Sequence, residues 1–161
     1  MNVWLSKNWV NYYKHYNCRK GLRLNFEKGI DSNIRKECLK YCNWLRNKYE
    51  FPMRIPIYFK NVPYIKAKDG DHVSAIFFGP YERYIEPFIS ISLGKFADDV
   101  NIYGYKNCII GIFNSITHEL THYFQWINNI ELSEKGEELQ AVYYTKLIVN
   151  EYLNQTTINL A

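Results

Sequence analysis

The apolar residues of this chain recur with helical spacing near both ends of the sequence and with strand spacing in the middle. Residues 31–49 carry one apolar stripe of period 3.6, which predicts a helix that ends before Pro52. The same period returns over 107–127, and a further helix is expected after Ser133, a residue type that favours helix starts. The order of helix, strands and two helices predicts an α+β fold in a single domain spanning 1–161.

Three segments of the middle region read as strands: 54–59, 73–78 and 84–93. We expect them to form a small mixed or antiparallel sheet packed on the helix that follows. Pro56 lacks a backbone N–H, so the first of these strands is predicted to lie at a sheet edge. The aromatic-rich residues 1–26 are predicted to form an N-terminal helical extension, and whether it covers a functional cleft is left open.

The charge of the chain gives no strong nucleic-acid signal. Its formal net charge is +4, and the basic residues are scattered rather than gathered into one arm. The N-terminus lacks a basic stretch followed by a long apolar one, so we expect a cytoplasmic protein, with export by a signal-less route left open. The aliphatic run 109–113 is too short to cross a bilayer, and no membrane association is expected. The oligomeric state is not predicted.

The motif that carries chemistry is His118-Glu119-Leu120-Thr121-His122. Histidines four residues apart on a helix lie on one face, within reach of one metal ion. Zinc binds neutral imidazole nitrogen at about 2.0–2.1 Å, so the pair supplies two ligands of a catalytic zinc site. Glu119 lies beside the metal position, where a general base takes a proton from bound water.

A catalytic zinc needs a third protein ligand, and no histidine follows the motif. The four histidines are His15, His72, His118 and His122. A downstream carboxylate is therefore expected. The motif helix advances about 9 Å along its axis from His122 to residue 128. The next helix runs in the opposite direction and returns about 7.5 Å from Ser133 to Glu138. Glu138 is thereby brought to the level of the metal, while Glu137, rotated by about 100°, is the second choice.

Residue spacing also places Glu138 at the head of a stripe expected to be buried. The stripe continues along the helix through Ala141, Val142, Thr145, Val149 and Tyr152. The alternative for the acidic residues early in this helix is that they only complement the helix dipole.

The motif followed by Glu138-Leu139-Gln140-Ala141 resembles the HExxH and ExxA elements of the gluzincins, zincin metallopeptidases with a Glu third ligand. The resemblance covers about 107–153 and implies a zincin-like fold, in which a sheet packs on an active-site helix followed by a glutamate helix. It implies His118, His122 and Glu138 as ligands of Zn²⁺ and Glu119 as the general base.

Two further positions follow from the resemblance. Family members often carry an acidic residue directly after the Ala of ExxA, and this chain has Val142 there, so support for a zinc-bound histidine must come from elsewhere. Gluzincins often use a Tyr or His to stabilise the oxyanion, which makes Tyr143 the candidate, with Tyr144 beside it.

The implied function is that of a zinc-dependent endopeptidase acting on a peptide or protein substrate. In zincins an extended substrate lies along an edge strand, for which 84–93 is the candidate; the alternative is that 84–93 is an ordinary core strand. One alternative is a zincin-fold protein that no longer cleaves and instead binds a partner. Another is a regulatory protease acting on a DNA-binding repressor, because the chain also bears a looser similarity to the ImmA-type proteases of phages.

Overall fold

The computed structural model describes residues 2–13 and 18–158, which form a mixed α+β fold. The helices are α1 (Val10–Tyr13), α2 (Ser32–Lys48), α3 (Phe96–Tyr103), α4 (Tyr105–Ile127) and α5 (Glu134–Gln155). The strands are β1 (Leu22–Phe26), β2 (Ile55–Lys60), β3 (Ile65–Lys66), β4 (His72–Val73), β5 (Ala75–Phe78) and β6 (Phe88–Ser92). None of these helices has the length and apolar character of a bilayer-spanning segment.

The main sheet has the strand order β1-β2-β6-β5. The first three strands are parallel, and β5 pairs antiparallel with β6 at one edge. Helix α2 connects β1 to β2, as parallel neighbours require a crossover. Strands β3 and β4 form a separate antiparallel arm. The mixed sheet confirms the α+β prediction.

The three longer helices expected from the sequence are present, and their starts follow from capping. Asp31 caps α2 by accepting a hydrogen bond from the Asn33 N–H at 2.7 Å. Ser133 caps α5 by accepting from the Gly136 N–H at 3.1 Å. Each cap satisfies one of the backbone donors that a helix N-terminus leaves unpaired. Helix α4 begins two residues earlier than predicted, at Tyr105.

The prediction of an N-terminal helical extension is wrong over most of its described length. Only Val10–Tyr13 is helical, and Leu22–Phe26 is strand β1 of the main sheet. Trp4 is buried in the core, so the described start of the chain is part of the domain. The missed signal is the alternation of Leu22, Leu24 and Phe26 with polar residues, typical of a half-buried strand. Residues 14–17 lie outside the described part of the chain.

The edge position predicted for the strand with Pro56 is also wrong, because β2 lies between β1 and β6. The Ile55 N–H donates to the Gly21 carbonyl on the β1 side, so the imide nitrogen of Pro56 points to the β6 side. The ladder with β6 begins only at Ile57. The Pro56 nitrogen therefore lies before the first paired residue of the β2–β6 ladder. Its lack of an N–H costs the sheet no hydrogen bond.

The other two predicted strands are present, but their bounds differ from those predicted. Within 84–93 only Phe88–Ser92 is a strand, and it is interior rather than an edge. Residues 73–78 divide at Ser74 between the arm and the sheet edge. Helix α3 was not predicted. The free edge beside the motif helix is β5, because α4 packs against β5 and β6.

Candidate metal centre

Helix α4 presents the motif histidines toward a cleft and its threonines toward the core. Thr117 Oγ1 donates to the Phe113 carbonyl at 2.7 Å, so the Tyr41 hydroxyl, 2.5 Å away, must donate to Thr117. Trp4 Nε1 donates to Thr121 Oγ1 at 3.0 Å. Both threonines are fully buried. Thr117, which precedes His118, is thus held by α2, and Thr121, which precedes His122, is held by the N-terminal segment. These two contacts set the rotation of the motif helix about its axis.

Three side chains meet at one point in the cleft, and we call them the metal triad: His118, His122 and Glu138. The two Nε2 atoms lie 3.3 Å apart. The Glu138 carboxylate oxygens lie 3.1 Å from His118 Nε2 and 3.0 Å from His122 Nε2. Helix α5 packs along α4, which brings Glu138 back to the motif as the rise of the two helices predicted.

These separations match those of zinc ligands. For ligand distances of about 2.0–2.1 Å, two corners of a tetrahedron lie about 3.3–3.4 Å apart. The triad separations of 3.0, 3.1 and 3.3 Å are close to that value, so a small outward movement suffices to hold an ion. The histidine side chains are 26% and 16% exposed and Glu138 is 60% exposed, which leaves one side of the triad open to water.

A hydrogen-bond network fixes which nitrogen of His122 carries the proton. Gln125 Nε2 lies 3.0 Å from the Glu137 carbonyl, which can only accept, so the amide orientation of Gln125 is determined. Its Oε1 therefore faces His122 Nδ1, at 2.8 Å, and Nδ1 must be the donor. In the neutral ring Nε2 then has a free lone pair directed at the triad. Gln140 Oε1 accepts a second hydrogen bond from Gln125 Nε2 at 2.9 Å.

Gln125 thus supports His122 by accepting its Nδ1 proton. In the family pattern such support comes from an acidic residue at the position where this chain has Val142. Ligating histidines usually donate their second ring N–H to a carbonyl or carboxylate, which holds the ring and its tautomer. A signal for Gln125 was present, because it follows His122 by three residues and helical neighbours at that spacing share a face. Val142 itself is 44% exposed, unlike the buried stripe in which it was predicted.

The electrostatics of the cleft favour neutral imidazole and a protonatable base. Burial, and next the neighbouring His122, lower the pKa of His118, while Glu138 raises it. Burial raises the pKa of Glu119 to about 7; proximity to His122 and a backbone hydrogen bond from Phe77 lower it, and Glu138 raises it. A lowered histidine pKa leaves the ring free to bind metal, and a carboxyl that titrates near neutrality suits a general base.

The hydrogen bond to Phe77 ties Glu119 to the free edge of the sheet. The Ser92 N–H donates to the Ser74 carbonyl, so Ser74 belongs to a hydrogen-bonded pair with β6. The register then turns the peptide groups of Ala75 and Phe77 away from β6, toward the cleft. Phe77 donates to Glu119, and Ala75 presents its N–H and carbonyl oxygen along the open edge.

Two hollows lie along β5, one at each histidine of the metal triad. One contains His118 and Glu119 and has walls at Ser74, Ala75 and Ser115. The other contains the other two triad members, with further walls at Phe77, Gly79, Arg83 and Trp126. We call them the His118 side and the His122 side of the cleft. No described residue of 2–13 lines either side, so that part of the N-terminal segment does not cover the cleft.

The structure brings together all the predicted site residues except Tyr143. That side chain is 59% exposed, packs edge-on to Tyr144 and lines neither side of the cleft. Tyr143 follows Glu138 by five residues, which corresponds to a rotation of about 140° around the helix axis and explains its position. Glu137 does not join the triad, and its backbone carbonyl holds Gln125 instead. The candidate substrate strand 84–93 is interior, and β5 takes the edge position.

The chain matches no protein family, no curated protein and no solved structure in the comparisons made with it. The geometry of the cleft therefore carries the functional argument.

Proposed function

We propose that this protein is a zinc-dependent endopeptidase of the zincin type that hydrolyses peptide bonds. The observation that carries the proposal is the convergence of two imidazole nitrogens and one carboxylate, 3.0–3.3 Å apart, beside the buried Glu119. Among the described residues, the metal triad is the one group of at least three His, Cys, Asp or Glu arranged to hold an ion.

The chemistry divides between the triad and Glu119. When bound, a zinc ion would polarise a water molecule and the carbonyl of the cleaved peptide bond. Glu119 takes the proton from the attacking water and passes it to the amine that leaves. The Phe77 N–H orients the carboxylate, and in the metal-free protein burial raises the pKa of Glu119 to about 7, near the pH at which a general base works best.

The free edge of β5 is the surface on which an extended substrate would lie. An exposed edge strand binds a peptide by main-chain hydrogen bonds, and here the N–H and carbonyl of Ala75 face away from β6 along the free edge. This edge ends at Gly79. A Cβ on this glycine would lie 2.6 Å from the Trp126 ring, so the chain closely approaches α4 there. The Trp126 indole donates to the Pro80 carbonyl at 3.0 Å and fixes that approach.

The proposal is tested by incubating zinc-loaded protein with denatured casein and with a peptide library. We expect cleavage by the wild type, its loss in a chelator and its return with zinc. Glu119→Gln is expected to retain zinc and to lose about 10²–10⁴-fold in rate, the usual contribution of a general base. The matched control is Glu134→Gln, an exposed residue in the first turn of α5, which is expected to cleave normally.

Two results would contradict the proposal. One is a Glu119→Gln protein as active as the wild type, and the other is cleavage that persists after complete removal of metal. A protein that holds zinc but cleaves neither substrate supports the alternative of a silent zincin-fold binding protein.

A further inference from the structure

The two faces of the main sheet carry different side chains. Phe77 of β5 packs against Tyr123 and Trp126 of α4, so the face that bears Phe77 is the one covered by the motif helix. Because side chains alternate along a strand, Phe78 lies on the opposite face, which we call the outer face. The sheet itself therefore separates the outer face from the cleft that contains the metal triad.

The outer face carries three neighbouring aromatic rings. Phe78 pairs with Phe88, and Tyr58 pairs with Ser90, two residues further along β6, so the three rings share this face. The ring centroids of Phe78 and Phe88 lie 5.2 Å apart, and those of Phe88 and Tyr58 lie 6.2 Å apart. We call these side chains the aromatic row. Tyr58 is 36% exposed and the two phenylalanines are half-buried, so the row reaches the protein surface.

Two lysine side chains lie over rings of the aromatic row. Lys60 Nζ lies 5.6 Å from the Tyr58 centroid, and Lys68 Nζ lies 4.8 Å from the Phe78 centroid. Neither lysine has a carboxylate partner among residues 2–13 and 18–158. An ammonium group that is held only by a ring is readily displaced by a flat ligand, and its charge then remains beside that ligand.

A hollow with cationic walls adjoins the aromatic row, and we call it the cationic hollow. Its volume is about 580 Å³, and the residues that line it are Arg19, Lys20, Arg23 and Arg54. Arg23 pairs with Pro56, which lies two residues before Tyr58 on β2, and Arg54 lies two residues before Pro56. The alternation of side chains therefore places both arginines on the same face as Tyr58.

The positive charge of the cationic hollow is only partly neutralised. Arg19 and Arg54 both pair with Glu86, at 2.9 and 3.6 Å. Lys20 and Arg23 form no ion pair within the described chain, so one carboxylate serves four cations. These basic residues belong to two segments that are distant in the sequence, and the fold gathers them. A surface with this excess of one sign attracts a polyanion.

We propose that the aromatic row and the cationic hollow together bind single-stranded nucleic acid. Proteins that bind single strands without sequence preference combine a positively charged surface, which follows the backbone, with aromatic side chains on which bases stack. A four-stranded sheet whose aromatic residues stack two or three bases is one recurring form of such a surface. The rings favour a single strand over a duplex, a polyphosphate or an acidic protein segment, because only unpaired bases offer free faces for stacking. This binding requires neither the metal nor peptide cleavage.

The test is fluorescence anisotropy with a labelled oligodeoxythymidine of about 12 nucleotides, within the usual range of single-stranded site sizes. The full-length protein is titrated in the presence of a chelator at several salt concentrations. We expect affinity to fall as the salt concentration rises, because phosphate contacts release counterions. A duplex of the same length is expected to bind at least about tenfold more weakly, because its bases cannot stack on the rings.

Two substitutions separate charge from stacking. Arg23→Gln removes one phosphate contact and is expected to reduce the slope of log affinity against log salt by about 0.7. Tyr58→Ala is expected to weaken binding about five- to 150-fold, the loss of one stacked base, without changing that slope. Tyr58→Phe keeps the ring and is expected to bind like the wild type. The matched controls are Lys36→Gln on α2 and Tyr143→Ala on α5, exposed residues outside this surface, which are expected to bind like the wild type.

Several results would overturn the proposal. They are no binding at low salt, equal affinity for the single strand and the duplex, an affinity unchanged in Tyr58→Ala, and a salt slope unchanged in Arg23→Gln. Displacement of the oligonucleotide by tripolyphosphate or by polyglutamate at equal concentrations of charge would also overturn it, because the surface would then respond to charge alone. None of these results bears on the proposed peptidase, whose cleavage of casein is measured separately.

Discussion

In the neutral ring the lone pair of His122 Nε2 faces a Glu138 carboxylate oxygen, an arrangement that is unfavourable without a cation between them. Gln125 enforces it, because its carbonyl accepts the Nδ1 proton of His122 and leaves Nε2 bare in the neutral ring. Nε2 lies 3.0 Å from one Glu138 oxygen and 3.3 Å from His118 Nε2. The residues around the triad thus prepare it for a cation.

Removal of this support is expected to weaken metal binding. Gln125→Leu leaves the His122 ring free to rotate and change tautomer, so we predict a loss of about 10–100-fold in zinc affinity. Competition with a chromophoric chelator measures it. Gln155→Leu is the control, because Gln155 lies at the end of α5 and accepts only from the Trp44 indole among the described residues. Equal affinities for the Gln125 variant and the wild type would contradict the assigned tautomer.

Glu119 gives a pH-dependent prediction for the metal-free protein. Burial raises its pKa from the ordinary 4.5 to about 7, so the folded state binds more protons than the unfolded state between these values. Its contribution to stability is present below the lower value and lost as the pH rises through the upper one. Glu119→Gln has no charge to bury, so it should gain stability over the wild type as the pH rises.

At about pH 8 the gain is expected to be on the order of 2–3 kcal/mol, and at about pH 5 it should be much smaller. Denaturant unfolding in the presence of a chelator measures the free energy of unfolding at both values. A difference between variant and wild type that does not change with pH would show that Glu119 is not held in the buried position described.

At the level of helices and strands, the site depends on α5 starting at the right residue. Ser133 caps this helix, and Glu138 lies in its second turn. Ser133→Ala is expected to cost about 1 kcal/mol of stability and also to weaken zinc binding, because a frayed first turn lets Glu138 move. Thermal unfolding and a zinc titration measure the two effects.

Asp31→Ala is the matched control for this prediction. It removes the equivalent cap from α2, which carries no triad residue, and is expected to cost similar stability with unchanged zinc affinity. Equal losses of affinity in both variants would mean that general destabilisation, rather than the start of α5, controls the site.

The elements differ in how well the sequence predicted them. Helices α2, α4 and α5 follow from long apolar stripes, and Glu138 follows from the rise of two helices joined by a short turn. Strand β1 was missed because five residues give a weak alternation signal among many aromatics. The interior position of Pro56 depends on where the β6 ladder begins, and no local pattern contains that information.

The same limit applies to the site. Spacing within one helix predicted His118, Glu119 and His122, which the structure brings to one cleft with Glu138. The resemblance alone suggests Tyr143, and the helical angle of this residue directs it away from the triad. The contact of Phe77 with Glu119 joins an edge strand to the motif helix, and such a pairing between distant segments appears only once the chain is folded.

At the scale of the whole molecule, the metal triad joins two helices that also contact each other through Gln125 of α4, which donates to the Glu137 carbonyl and to Gln140 Oε1 of α5. His118 and His122 lie on α4 and Glu138 lies on α5, so an ion bound by all three links the helix pair. The sheet supplies the edge strand on one side of this link. Metal binding and catalysis in the proposed function both depend on that one ion.

The most direct test is therefore the metal content of the purified full-length chain, measured by elemental mass spectrometry after dialysis against metal-free buffer. We expect about one zinc per chain in the wild type and in His72→Ala, whose histidine lies in the β3–β4 arm, and expect almost none in His122→Ala. A wild-type chain without metal even after zinc is supplied, or a His122→Ala chain that keeps its zinc, would contradict the account.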